Sequence, residues 1–159
     1  MFASRWVRIP AAVAAGIAFV GAAVLVWRDL RTRRSPNQSV FVRGSIPRQL
    51  PDGDYKGSVA GYSGDWIGKT FDARTATGKN LMKTPQGVDR LYPFKTRVDR
   101  GLSDPVQVIK IDYDIPGNPV WLRSILDEIV EVEPNRFLGK IHVRMGPIHA
   151  SVGYFELRK

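Results

Sequence analysis

Val106-Gln107-Val108-Ile109-Lys110-Ile111-Asp112-Tyr113-Asp114 alternates at a period of two. Gln107, Ile109, Ile111 and Tyr113 fall on one face, and Val106, Val108, Lys110, Asp112 and Asp114 on the other. Successive strand residues point to opposite faces, so such a run sets one face against a core. Downstream, Phe137, Gly139, Ile141 and Val143 alternate in the same way with Leu138, Lys140, His142 and Arg144. The turn-like Met145-Gly146-Pro147 then leads into residues 151–157, which predicts a C-terminal hairpin.

Working back towards the N-terminus, shorter strands are expected at residues 57–62, 66–71 and 91–98, after a turn at Pro51-Asp52-Gly53-Asp54. Fifteen glycines and eleven prolines punctuate the chain and leave little room for long helices beyond residue 40. One short helix is expected, with Asn118 as N-cap, Pro119 at the first helical position and Val120-Trp121-Leu122-Arg123 following. Seven or eight short strands with one helix imply a mainly β domain over residues 41–159, an antiparallel barrel or a strongly curved sheet.

The N-terminal part is of another kind. Residues 9–26 hold no charged or strongly polar side chain. At about 1.5 Å per residue they reach about 27 Å, close to the hydrocarbon thickness of a bilayer. Trp6 and Trp27 bracket the run at the level where indoles favour headgroups, and Arg5, Arg8 and Arg28 lie just outside. Ala14, Ala18 and Ala22 form a small-xxx-small ridge on which another helix can pack closely. The run ends Val24-Leu25-Val26-Trp27-Arg28, without the small residues of a signal-peptide cleavage site. Residues 1–30 are therefore expected to form an uncleaved, single-pass transmembrane anchor in a bacterial or organellar inner membrane. Two basic residues precede the span and four follow it, which favours the C-terminal domain on the cytoplasmic or matrix side. Residues 31–40, with Arg31, Arg33, Arg34 and the break at Ser35-Pro36, are expected to form a basic juxtamembrane linker attracted to anionic headgroups.

The formal charge of +9 is unevenly spread: the first 40 residues carry six arginines against Asp29 alone. The smaller share left for the rest of the chain is mixed in sign, which argues against a nucleic-acid partner. The absence of cysteine excludes a disulfide scaffold, thiolate chemistry and cysteine-based zinc sites.

Candidate chemistry is sparse. Ser63-Gly64-Asp65-Trp66-Ile67-Gly68-Lys69-Thr70 misses a phosphate-binding loop by the glycine that Ser63 replaces, and no βαβ unit surrounds it. Asp127, Glu128, Glu131 and Glu133 form an acidic cluster, but on a strand Glu128 points away from the other three, as expected of a solvated face. Asp112-Tyr113-Asp114 is too common a pattern to mark a site. His142 and His149 flank the C-terminal turn without evident third and fourth metal ligands, and are expected to be exposed. No Gly-x-Ser-x-Gly elbow is present. The chain is expected to be no enzyme and to hold no metal or cofactor.

Gly64-Asp65-Trp66-Ile67-Gly68-Lys69 followed by Phe71 resembles the Gly-x-Trp-x-Gly signature of small bacterial proteins with calycin-like, lipocalin-like barrels. The rhythm of Asp112-Tyr113-Asp114, Asn118-Pro119, Asp127-Glu128, Leu138-Gly139 and Tyr154-Phe155-Glu156-Leu157 is similar to theirs. The resemblance implies a small calycin-like barrel in which Trp66 plugs one end, with Arg158 as its cap. It departs from lipocalins in the roughly 60 residues that precede the motif. If such a barrel encloses a cavity, Trp66, Phe94 and Phe137 are the residues expected to line it and touch a ligand. Two functions follow as expectations: an accessory subunit of a larger membrane-protein complex, or a membrane-tethered carrier or sensor of a lipid or other hydrophobic ligand.

Overall fold

The computed structural model describes residues 11–159, with side chains from Gly21 onward. Eight antiparallel strands close into a barrel in chain order: β1 (Gly53–Ser58), β2 (Trp66–Asp72), β3 (Thr77–Thr84), β4 (Gly87–Arg100), β5 (Gln107–Asp112), β6 (Ile125–Glu133), β7 (Arg136–Met145) and β8 (Ile148–Arg158). Closure comes from β1 against β8, with Lys56 opposite Arg158 and Ser58 opposite Glu156. Each strand thus has a strand neighbour on both sides, which is how a barrel limits edge-to-edge aggregation.

The alternation predicts the faces correctly. Ile109, Ile111 and Tyr113 point inward, and Val108 and Lys110 outward. The register pairs Ile109 with Ile129, and Ile111 with Asp127. On β7, Phe137 and Gly139 face in, opposite Leu157 and Phe155 of β8. Gly139 has a packing reason: any Cβ there would overlap the Phe155 ring.

Among the described residues three helices accompany the barrel: α1 (Ala11–Arg33), α2 (Pro36–Arg43) and α3 (Val120–Arg123). Two expectations are corrected here. Residues 31–40 are not an open linker, because α1 runs to Arg33 and α2 begins at Pro36. Ser35 and Pro36 start a helix: the Ser35 hydroxyl accepts a hydrogen bond from the Asn37 amide at 3.3 Å, and proline occupies the first turn. The expected α3 is present, but Pro119 takes the N-cap position. Asn118 instead donates to the carbonyls of Pro93 and Tyr113, tying the β5–β6 connection to β4.

The first two helices lie on the outer face of the sheet. Phe41 of α2 is fully buried against Val108, Val130 and Leu138. Asp29 of α1 accepts the backbone N–H of Ser151 on β8 at 2.8 Å. Among the described residues no helix is long and apolar enough to cross a membrane. Trp6, the side chains of Ala14 and Ala18, and most of the apolar run at 9–26 lie outside the residues whose side chains are described.

Candidate functional site

The barrel interior is where the molecule concentrates unusual chemistry. Lys69 on β2, Asn80 on β3, Tyr113 just after β5 and Asp127 on β6 all point inward, and each is buried. The Lys69 ammonium pairs with the Asp127 carboxylate at 3.1 Å and donates to Asn80 Oδ1 at 3.0 Å. It also meets the Tyr113 hydroxyl, which donates to Asn80 Oδ1 at 3.0 Å. The Trp66 indole N–H reaches the same Asn80 oxygen at 3.3 Å. Four aromatic rings surround the ammonium, with centroids at 4.9 Å (Tyr113), 5.2 Å (Phe155), 5.4 Å (Phe94) and 5.5 Å (Trp66).

A lysine sealed from water disfavours its charged form, and burial lowers the Lys69 pKa from its ordinary value even though the Asp127 charge opposes this. Burial and the same carboxylate push the Tyr113 hydroxyl well above its usual range. Asp127 therefore does not belong to a solvated acidic face. Sequence alternation places it on the inward face with Ile129, and its partner arrives from the other side of the barrel. Among the described residues no group of three or more histidine and carboxylate side chains is placed to hold a metal ion.

The residues expected to line a ligand cavity are all here, each packed against aromatic neighbours, and Phe94 with Phe71 also borders an open pocket beside Gly78, Pro93 and Ile115. Phe94 is fully buried and packs edge-on against Phe71 at 5.4 Å and Tyr113 at 5.6 Å. Phe137 contacts Tyr55, which in turn contacts Phe71, both at 5.6 Å. Trp66 lies edge-on to Phe155 at 5.8 Å, over Gly57, where a Cβ would overlap the indole. The proposed cap is corrected: Arg158 points outward to Glu156 at 3.0 Å, and the cation beside Trp66 is Lys69.

A second polar layer lies outside the sheet, under the helices. Lys140 pairs with Asp104 at 2.5 Å, and both bond to Gln38 of α2. Tyr154 donates to Gln38 at 2.6 Å, and its pKa is raised by burial and by the Asp104 charge. Nearby, the Ser151 hydroxyl meets His142 Nδ1 at 3.2 Å, and His142 Nε2 meets Glu128 at 3.0 Å. All three side chains have no exposure, which corrects the expectation of an exposed His142. His149 bonds to Ser103 at 3.1 Å. Serine, histidine and glutamate in hydrogen-bonded sequence have the composition of a nucleophilic triad. Here, however, the serine hydroxyl is sealed from any substrate, the Ser151 amide holds Asp29, and Glu128 also accepts the Leu102 amide at 2.7 Å. The group clamps α1 and the 101–106 loop onto the sheet. Burial alone would raise the Asp29 carboxyl, but the Ser151 amide and Arg33 outweigh it and hold it below the usual carboxylate range.

The interface residues expected at the membrane are at the surface where described. Trp27 is exposed, with Arg31 over its ring at 5.4 Å, and Arg28, Arg33 and Arg34 are exposed, Arg33 paired with Asp29 at 2.6 Å. Ala22 is exposed. Asn80, Gln38 and Asp104 are members of these networks that sequence reasoning did not single out. Asn80 gives one signal, a polar residue on the core-facing side of a strand, whereas Gln38 on α2 and Asp104 in a loop give none.

No protein-family model matches the chain, and no curated protein matches it. Among solved structures, the crystal structure of a protein from Thermomonospora curvata is similar in fold, with a TM-score of 0.57 and 17% identity, over 79% of this chain and 87% of that one. At that identity the likeness concerns the fold alone.

Proposed function

We propose that the chain is a non-enzymatic, single-pass membrane protein that serves as an accessory subunit of a larger membrane-protein complex. The observation that carries this reading is the packing of aromatic rings and an ion pair in the interior. A lipid carrier of this architecture needs a cavity, whereas here six aromatic rings and a buried ion pair occupy the barrel's core. The up-and-down order of eight strands is also the lipocalin order, which supports a calycin-like barrel adapted as a solid docking module. The helical arm supports the subunit reading further. Asp29, Gln38 and Phe41 bond and pack α1 and α2 to the sheet, so a position taken by the anchor is transmitted to the barrel.

Lipid tails are as apolar as the helix, so a membrane span gains little from burial and associates through close packing. The ridge of Ala14, Ala18 and Ala22 offers that packing. Replacing all three with leucine keeps the helix apolar while blocking close approach. The variant should still pellet with membranes after carbonate extraction, with the barrel folded, yet lose the partners that co-purify with the wild type in mild detergent. Co-purification equal to wild type would show that the ridge does not carry association.

A further inference from the structure

In a meander barrel, alternate connections lie at the same end. The connections β1–β2, β3–β4, β5–β6 and β7–β8 share one end, and β2–β3, β4–β5 and β6–β7 share the other. Each connection at the first end carries exposed apolar or aromatic side chains. Tyr62 is 50% exposed; Val88 and Leu91, beside the β3–β4 turn, are 55% and 41%. Val120 and Trp121 on α3 are 82% and 65%, and Met145 and Ile148, flanking the β7–β8 turn, are 43% and 64%. At the second end, residues 73–76, 101–106 and 134–135 present no exposed large apolar side chain. Elsewhere the exposed large apolar side chains are Leu50 and Val98, Val40 and Val42 on α2, and Val24, Val26, Trp27 and Leu30 on α1.

The direction of α1 supplies the independent observation. Asp29 bonds to Ser151, and further along the arm Gln38 bonds to Tyr154, so the chain descends β8 as it leaves α1. Towards its N-terminus α1 therefore runs up β8 towards Ile148. Three strand residues from Ser151 to Ile148 span about 10 Å, and about seven helical residues cover the same distance. Ala22 is then level with the β7–β8 turn, and the apolar run continues from there in the same direction.

We infer that this end of the barrel rests in the interfacial layer of a lipid bilayer. The inference builds on the reading of residues 9–26 as a membrane span, because that run leads away from the barrel past this end. Tryptophan, tyrosine and aliphatic side chains on a rim are the side chains that enter the headgroup–acyl boundary. Two basic groups here are neutralised within the fold, Arg123 by Asp114 at 2.7 Å and Arg144 by Asp112 at 2.8 Å, which lowers the penalty of approaching the lipid, while Lys83 beside the β3–β4 turn is exposed. Asp65 in the β1–β2 loop and Asp89 near the start of β4 keep the rim at the interface rather than in the hydrocarbon.

The chain has no cysteine, so single substitutions report single places. The full-length protein carrying Val120→Cys, Ile148→Cys or, at the opposite end, Arg74→Cys is labelled with an environment-sensitive fluorophore. It is then placed in vesicles of phosphatidylcholine and phosphatidylglycerol. The labels at residues 120 and 148 should be blue-shifted and quenched by lipids bearing a nitroxide near the top of the acyl chain, while the label at residue 74 stays water-like and unquenched. Water-like emission at 120 and 148 would overturn the inference. So would emission that is blue-shifted but unquenched, which would mean that a second copy of the chain covers this end. Carbonate extraction of the same vesicles decides the span separately, since release of the protein refutes the anchor whatever the labels report.

Discussion

Asp127→Ala should destabilise the barrel by about 3–5 kcal/mol, because it leaves the Lys69 ammonium buried without a counter-charge. The pair is an unusual place for charge, 3% and 6% exposed at the side chains, with an aromatic ring on four sides of the ammonium. Asn80 and Tyr113 supply hydrogen bonds but no negative charge, so they cannot replace the carboxylate. The companion variant sharpens the test. A buried ion pair exchanged for apolar side chains of similar volume is often neutral or stabilising. Lys69→Met combined with Asp127→Leu should therefore recover most of what the single substitution loses. Guanidinium unfolding of the full-length protein in detergent measures both, by near-ultraviolet circular dichroism. A single variant within about 1 kcal/mol of wild type would mean that Lys69 finds water or another acceptor, and that the interior is not sealed.

Trp66→Ala should cost about 3–5 kcal/mol, the range for large aromatic truncations in cores. The loss has three sources. The indole covers Gly57, meets Phe155 edge-on and donates its N–H to Asn80, whose oxygen also holds Lys69 and Tyr113. Trp121 is the control, since it is 65% exposed on α3 and its replacement by alanine should change stability by no more than about 0.5 kcal/mol. Equal effects at the two tryptophans, read from the same unfolding curves, would remove Trp66 from the core of the barrel.

The sequence shows some of this architecture plainly and hides the rest for physical reasons. β5 and β7 are legible because one face meets an apolar core while the other carries lysine, aspartate or histidine, so alternation stands out. β3 is not legible. Two of its inward positions are Gly78, placed under the Phe94 ring, and Asn80, which serves the Lys69 network, so the apolar signal is weak on the face that matters. The helical arm is hidden for a related reason. Ser35-Pro36 marks a helix start as readily as a chain break, and the contact that decides between them, Phe41 on Val130 and Leu138, joins residues far apart in sequence. Alternation also tells which face a side chain takes but not what covers that face. His142 falls on the outer side as expected, but Glu128, expected to point away from the solvated face, lies there with it while Asp127 faces the core; both are buried because the arm and the 101–106 loop lie over them.

The account turns on an anchored barrel whose interior is solid and whose partners are proteins. Native mass spectrometry of the complex, extracted from its own membrane in mild detergent, weighs everything bound to the chain. The account predicts the intact chain in a fixed ratio with other polypeptides and no hydrophobic small molecule in stoichiometric amount. A solitary chain carrying one lipid-sized molecule per copy would contradict it, and would make the barrel a carrier.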